Sequence, residues 1–301
     1  MLLIVTSFSS KASVISFSHK LDAQVRIDDR STRDVRSQYR FRYYPTIHFG
    51  NDNTWSLNSF VVTGDRFSSS HNVIDSGETN HLYVRRLFAR YENQEGKVEL
   101  GVIPTYKGRV SSSGLSSFGW IKGVRGVRQL ASDTAIELVI GQLDNINAKH
   151  ALELPSNIDY AELEYSTGIG EDQSFEVSLE YMTSNSYLRG EYRWRVAEHR
   201  TLFLEAIRQK DQSSTKLVAG MSGEIFVGQY PIEYFAHYSY VSEKFGLRAE
   251  LTEDFLGKGH GVSAEFSGSI SSLHSIEWFV RFDSADGVSR LLTGVKAPLV
   301  K

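Results

Sequence analysis

Apolar residues in this chain recur at every second position, from about residue 20 almost to the end, and that period belongs to strands. Leu21, Ala23, Val25 and Ile27 alternate with Asp22, Gln24, Arg26 and Asp28; Tyr39, Phe41 and Tyr43 alternate with Arg40 and Arg42. Further on, Phe175, Val177, Leu179 and Tyr181 alternate with Glu176, Ser178 and Glu180, and Phe245, Leu247, Ala249 and Leu251 oppose Arg248 and Glu250. Almost no stretch places apolar residues at i, i+3, i+4 and i+7, so the expected class is all-β. No linker or composition break divides the chain, which predicts one domain over residues 19–301. Residues 1–18 stand apart: apolar Leu2 to Val5 followed by Ser-rich sequence reads as a signal-peptide remnant or a frayed N-terminus.

Alternation fits a soluble sandwich and a membrane barrel equally well. Strand length and loop order separate them. The alternating segments run to about 9–11 residues, the length a tilted strand needs to cross a bilayer, against about 5–6 for soluble strands. The long connections, Gly64 to Asn80, Pro104 to Gly119 and Leu143 to Asn157, sit between every other pair of strands and so fall on one side, with short turns on the other. Outer-membrane barrels sort their loops in this way. About seventeen candidate strands are counted, and closure needs an even number, which gives about 16, or 18 if the segment before His19 contributes one. A mean hydropathy of −0.29 is compatible, because an apolar outer face averages against a polar lumen. No apolar run approaches the ~18 residues of a membrane helix.

The alternating Tyr- and Phe-rich hairpins, the segment Leu82-Tyr83-Val84-Arg85-Arg86-Leu87-Phe88-Ala89-Arg90-Tyr91-Glu92, and a last strand from Leu291 to Leu299 together resemble the porin-like outer-membrane β-barrels of Gram-negative bacteria. The resemblance spans nearly the whole chain and is architectural. It implies an up-and-down antiparallel transmembrane barrel in the bacterial outer membrane. Its partners would be outer-membrane lipid, the barrel-assembly machinery and, in an oligomer, further copies of the chain. Members usually end in an aromatic residue; Ala297-Pro298-Leu299-Val300-Lys301 departs from that pattern.

The polar face of the strands supplies the candidate pore lining: Arg26, Arg40, Arg42, Arg86, Arg90, Glu162, Glu164, Glu176, Glu180, Arg189, Glu191, Arg193 and Glu250. Arg clusters early in the chain and Glu between residues 162 and 180. If they occupy different arcs they set a field across the lumen, and if they pair across strands they hold the wall together. The segment Pro104 to Trp120, with Lys107 and Arg109, is a candidate for a loop that folds inward, the alternative being an exposed outer loop.

Catalytic chemistry finds little footing. The chain has no Cys, and its nine His are scattered without metal-ligand spacing, so no metal and no cofactor is expected. Ser68-Ser69-Ser70-His71-Asn72 holds the residue types of a serine hydrolase but reads better as a polar loop. Phe60 with Trp55, and Trp194 with Tyr192, could stack on sugars or belong to an interfacial aromatic belt. A net charge of −3 gives no case for nucleic acid. The expected function is passive diffusion of small hydrophilic solutes. The alternatives are an anionic-oligosaccharide-preferring channel, an outer-membrane barrel enzyme and a soluble β-rich sugar-binding protein.

Overall fold

The computed structural model describes residues 15–50, 54–74, 82–105, 116–182, 184–210, 214–243, 245, 258–270 and 273–300. The first half of the chain forms β1 (Ser16–Arg30), β2 (Arg33–Phe49), β3 (Trp55–Thr63), β4 (Asn72–Val73), β5 (Leu82–Asn93), β6 (Gly96–Pro104), β7 (Trp120–Ala131) and β8 (Thr134–Gln142). The second half forms β9 (Tyr160–Ile169), β10 (Gln173–Met182), β11 (Asn185–Ala197), β12 (Arg200–Gln209), β13 (Ser214–Val227), β14 (Tyr230–Val241), β15 (Gly259–Ile270), β16 (Leu273–Ala285) and β17 (Val288–Val300). All belong to one antiparallel sheet of 17 strands. The two-residue β4 pairs only with β2, so sixteen strands remain for the wall. Pairing of β1 with both β2 and β17 closes the ring. The all-β class and the count of about 16 are as expected, and the odd strand is a bridge within a loop. β1 takes in Ser16 to Ser18, opposite His48, Ile47 and Thr46, from the end of the segment set aside as a leader.

Closure removes every exposed sheet edge, and period two then divides the side chains between two environments. Leu138, Leu163, Leu179 and Leu188 are successive cross-strand partners on the outer face. Each is between 48% and 59% exposed, and other strands add Val25, Leu100, Leu204 and Val262 to the same face. Such a continuous apolar surface is far larger than a water-soluble monomer carries, and a bilayer is the solvent that covers it. The soluble sandwich is thereby excluded. Trp55 lies on this outer face against Phe49 and Tyr91, at ring distances of 6.4 and 5.0 Å, as part of an aromatic rim. Phe60, expected to act with it, points to the opposite face and is buried against Tyr44.

The connections sort by end. One end carries only short links, and the other carries all the long ones: 64–81, 105–119, 143–159 and 242–258. The fourth lies where alternation predicted a strand from Phe245 to Leu251. Ser242, Glu243 and Phe245 are not in a strand, and Arg248 and Glu250 lie outside the described residues. Phe245 instead packs on Tyr187, its ring 6.1 Å away.

Candidate functional site

The inner face is polar along its length, and its charges are distributed unevenly. On β9 to β12 the inward positions are Glu162, Glu164, Glu176, Glu180, Arg189, Glu191, Arg193 and Glu205. Arg189 is the hub of this arc: it donates to Glu205 and, at 2.5 Å, to Glu191, and it lies 3.9 Å from both Glu164 and Glu176. Arg193 donates to Glu191 at 2.5 Å and sits 3.6 Å from Glu176. Next along the wall, Arg125 bridges Glu99 at 2.7 Å and Glu137 at 2.9 Å, while Arg90 takes Glu99 at 2.7 Å. Of these groups Arg90, Glu162, Glu164, Glu176, Glu180, Arg189, Glu191 and Arg193 were expected to face the lumen, whereas Glu99, Arg125, Glu137 and Glu205 were not named in the candidate pore lining; the arginines among them pair with these carboxylates. The acidic arc is also covered: Glu162, Glu180, Glu191, Glu205 and Arg189 are each at most 3% exposed.

The cover is an apolar cluster at the long-loop end. Ala148 and Ala151, in and beside a one-turn 3-10 helix (Ala148–His150), pack with Phe67 of the 64–81 loop and Phe245. They rest on the inward side chains Phe88, Ile103, Val139, Tyr160, Met182, Tyr187 and Ile207. The backbone of Asn147 bridges to that of Arg66, and Lys122 donates to the His150 carbonyl at 2.7 Å. The 143–159 connection therefore turns into the lumen. Its neck is tied by Asp159, which accepts from the Leu143 and Asp144 amides at 2.6 and 2.8 Å. Burial, with the neighbouring Asp144 charge, raises the Asp159 pKa. Burial also opposes ionisation of Asp144, but hydrogen bonds from Asn157, Gln142 and Asp159 outweigh it and hold that carboxyl below its usual range.

The 105–119 connection, expected to fold inward, is described only at its ends, and Lys107 and Arg109 lie outside the described residues. Its return segment does reach the lumen. Arg86 donates to the Gly119 carbonyl at 2.8 Å and also to that of Ser117, and the Phe118 ring lies 5.2 Å from the Arg40 guanidinium and 5.4 Å from that of Arg42. Arg86 is thus a loop anchor more than a bare lining group. Arg85 also faces inward, which simple alternation does not allow. A bulge opposite Phe60 and Val61 shifts the register there. The sequence signal is two consecutive Arg between the outward-facing Val84 and Leu87. Arg85 donates to the Gly64 and Ser69 carbonyls at 2.5 and 2.8 Å and so seats the 64–71 segment.

A cavity of about 650 Å³ stays open against β1, β2, β16 and β17, roofed by Ser68, Ser69, His71, Ser117 and Phe118, and another of about 440 Å³ lies at the short-link end against β12 to β15, where Glu198, Glu224, Glu233 and Glu265 stand with Arg200. Of the larger cavity's described lining residues, nine are cationic and two acidic. Arg26, Arg40 and Arg42 were expected here; Arg30, Arg33, Arg66 and Arg290, at strand ends or in a loop, were not singled out, nor was Lys296 within β17. Carboxylates offset part of the charge: Asp28 binds Arg33 at 2.5 Å, Asp283 binds Arg290 at 2.6 Å and Asp22 binds Arg42 at 2.7 Å. β10 and β11 lie eight strands round the ring from β1 and β2, so the cationic and acidic walls face each other.

The Ser-His loop faces this cavity. Ser69 Oγ is 3.4 Å from His71 Nδ1, and Nε2 donates to Gln24 Oε1 at 3.2 Å. A neutral amide stands where a hydrolase needs a carboxylate to stabilise the imidazolium. Burial first, and then the charges of Arg26, Arg40, Arg42 and Arg85, push the His71 pKa well below the ordinary histidine range. No group of residues suited to a metal ion occurs among the described residues.

The fold is shared with solved porin structures. A mutant of Rhodopseudomonas blastica porin superposes with a TM-score of 0.64 at 7% identity, over 94% of this chain and 100% of that one. A second mutant of the same porin gives 0.66 at 7% identity over the same shares. A low-pH structure of Pseudomonas putida OprB gives 0.60 at 9% identity, over 94% of this chain and 92% of that one. No family model and no curated protein sequence matches the chain.

Proposed function

We propose that this chain is a porin-like channel of the bacterial outer membrane that lets small hydrophilic solutes diffuse passively, with a preference for anions. One observation carries the preference. The acidic arc is paired and covered, whereas the open cavity is lined by nine cationic and two acidic residues. A permeating ion therefore meets an excess of positive charge on one side and neutralised ion pairs on the other, and in a low-dielectric wall such an imbalance is only weakly screened. Lipid covers the outer apolar band, and insertion would call on the barrel-assembly machinery. No reaction is assigned to the barrel.

Reconstitution in a planar bilayer tests this reading. Discrete conductance steps are expected, with a reversal potential in a KCl gradient on the chloride side. Replacing Arg26, Arg40 and Arg42 with Gln should move that potential toward zero. Absence of steps, or a cation-selective wild type, would refute the proposal.

A further inference from the structure

Among the described residues most of the inner-wall arginines named above form an ion pair with a carboxylate, whereas Arg26 and Arg40 meet Asp28 and Asp22 only at longer range. In the β1–β2 pairing Arg26 stands opposite Gln38 and Arg40 opposite Gln24, so the square of neighbours holds two guanidinium groups and two neutral amides. Diagonal positions of this kind lie roughly 7–8 Å apart, and like charges on such neighbours repel. Arg26 spends its Nε on Gln38 Oε1 at 2.7 Å. Arg40 is 6% exposed, its Nε is enclosed without an acceptor, and its one described contact is the Phe118 ring at 5.2 Å. Both arginines line the open cavity of about 650 Å³ together with Ser68, Ser69 and Ser117. Two planar forks thus stand a diagonal apart on one wall, Arg40 buried and Arg26 half-buried, and neither makes an ion pair among the described residues.

Resting on the anion-channel reading, we propose that Arg26 and Arg40 hold a phosphoryl oxyanion, as free phosphate or as the head of a phosphate monoester, at a saturable site within the pore. A carboxylate has two oxygens and satisfies one fork. A tetrahedral phosphoryl group offers separate oxygens to both forks and carries close to the two charges they lack. The serine hydroxyls can donate to its remaining oxygen, and the about 650 Å³ of cavity leaves room for an ester substituent.

The test is titration of inorganic phosphate into a planar bilayer holding the wild-type channel in KCl at constant ionic strength. Chloride current should fall along a saturating curve. R40Q should raise the half-blocking concentration at least tenfold, R26Q should do likewise, and R128Q, at an exposed turn-end pair with Glu95, should leave it unchanged. R40K keeps the charge and removes the fork; it should retain the wild-type reversal potential and still lose saturable block, which covers the case in which R40Q does not fold. Glycerol 3-phosphate in place of phosphate separates the two sources: equal block shows that the head alone is read, and stronger block shows that the ester is read too. A linear fall with phosphate, or an unchanged half-block in R40Q and R40K, overturns the site while chloride selectivity still stands. A cation-selective wild type would instead remove the channel reading on which the site rests.

Discussion

Replacing Arg189 by Met should destabilise the barrel by about 3–5 kcal/mol, the cost of stripping a buried ion pair of one partner. The size follows from the surroundings. Arg189 is 1% exposed, donates to Glu205 and Glu191, and has Glu164 and Glu176 at 3.9 Å. At an effective dielectric of about 20, one charge pair near 4 Å is worth about 4 kcal/mol, so the hub's gross attraction far exceeds its net effect. Arg193 still serves Glu191 and Glu176 after the substitution, which places the loss at the level of one broken buried pair. Met matches the aliphatic stem, and little cavity cost is added. The assay is reversible urea unfolding in detergent micelles, followed by heat-modifiable gel migration and tryptophan fluorescence. The double variant R189M/E205Q removes one of the orphaned charges and should recover part of the loss, while E205Q alone should cost less than R189M. A loss below about 1 kcal/mol for R189M, in the range of an exposed salt bridge, would refute the view that this arc is covered and unscreened.

Three further outcomes are expected. Because the folded His71 pKa is depressed, the unfolded chain takes up a proton below about pH 6.5 that the folded chain refuses, so stability falls as pH drops from there, by up to about 1.4 kcal/mol per unit; in H71N this component of the slope between pH 7 and 5 should vanish, and an identical slope would contradict the assignment. A151E places a charge at a fully buried position of the inward-turned connection and should unseat it, raising single-channel conductance and lowering chloride selectivity as the acidic arc is uncovered; unchanged conductance would mean that the connection does not restrict the pore. Gly96 has φ +148°, and a Cβ there would meet the Val127 carbonyl oxygen at 1.9 Å, so G96A should cost about 2–3 kcal/mol and cut refolding yield into detergent.

Much of the fold was legible because alternation reports the environment of each side chain directly. Val25 and Ile27 point out, and Gln24 and Arg26 point in, as their spacing required. The order of long and short connections gave the two ends of the barrel before any coordinates. The lumen's partial filling was not legible, because Ala148 and Ala151 are small residues in a polar-looking loop and their burial depends on side chains from nine different strands. Residues 104–120, the more evident candidate by length and composition, are described only at their ends. Arg85 escaped because a bulge breaks period two for one residue. The stretch from Phe245 carries strand-like alternation in a long connection, where local pattern and tertiary context disagree.

The loop that enters the lumen and the charge of the open wall belong to one arrangement. An acidic arc left open opposite the arginines would give the pore a dipole but little net preference, since each ion would find its counter-charge on one side or the other. Burial of Glu162, Glu180 and Glu205, each two residues from a member of the apolar cluster (Tyr160, Met182 and Ile207), removes that choice, so that under the proposed function solutes pass beside β1, β2, β16 and β17. The arginine hub at Arg189 is what allows the covering, because buried carboxylates without it would have to protonate or expel the loop. On the proposed function, selectivity at Arg26 and Arg40 thus depends on an ion-pair network on the far side of the barrel. R189M should consequently lower chloride selectivity along with stability, whereas a stability loss with selectivity untouched would separate the two walls.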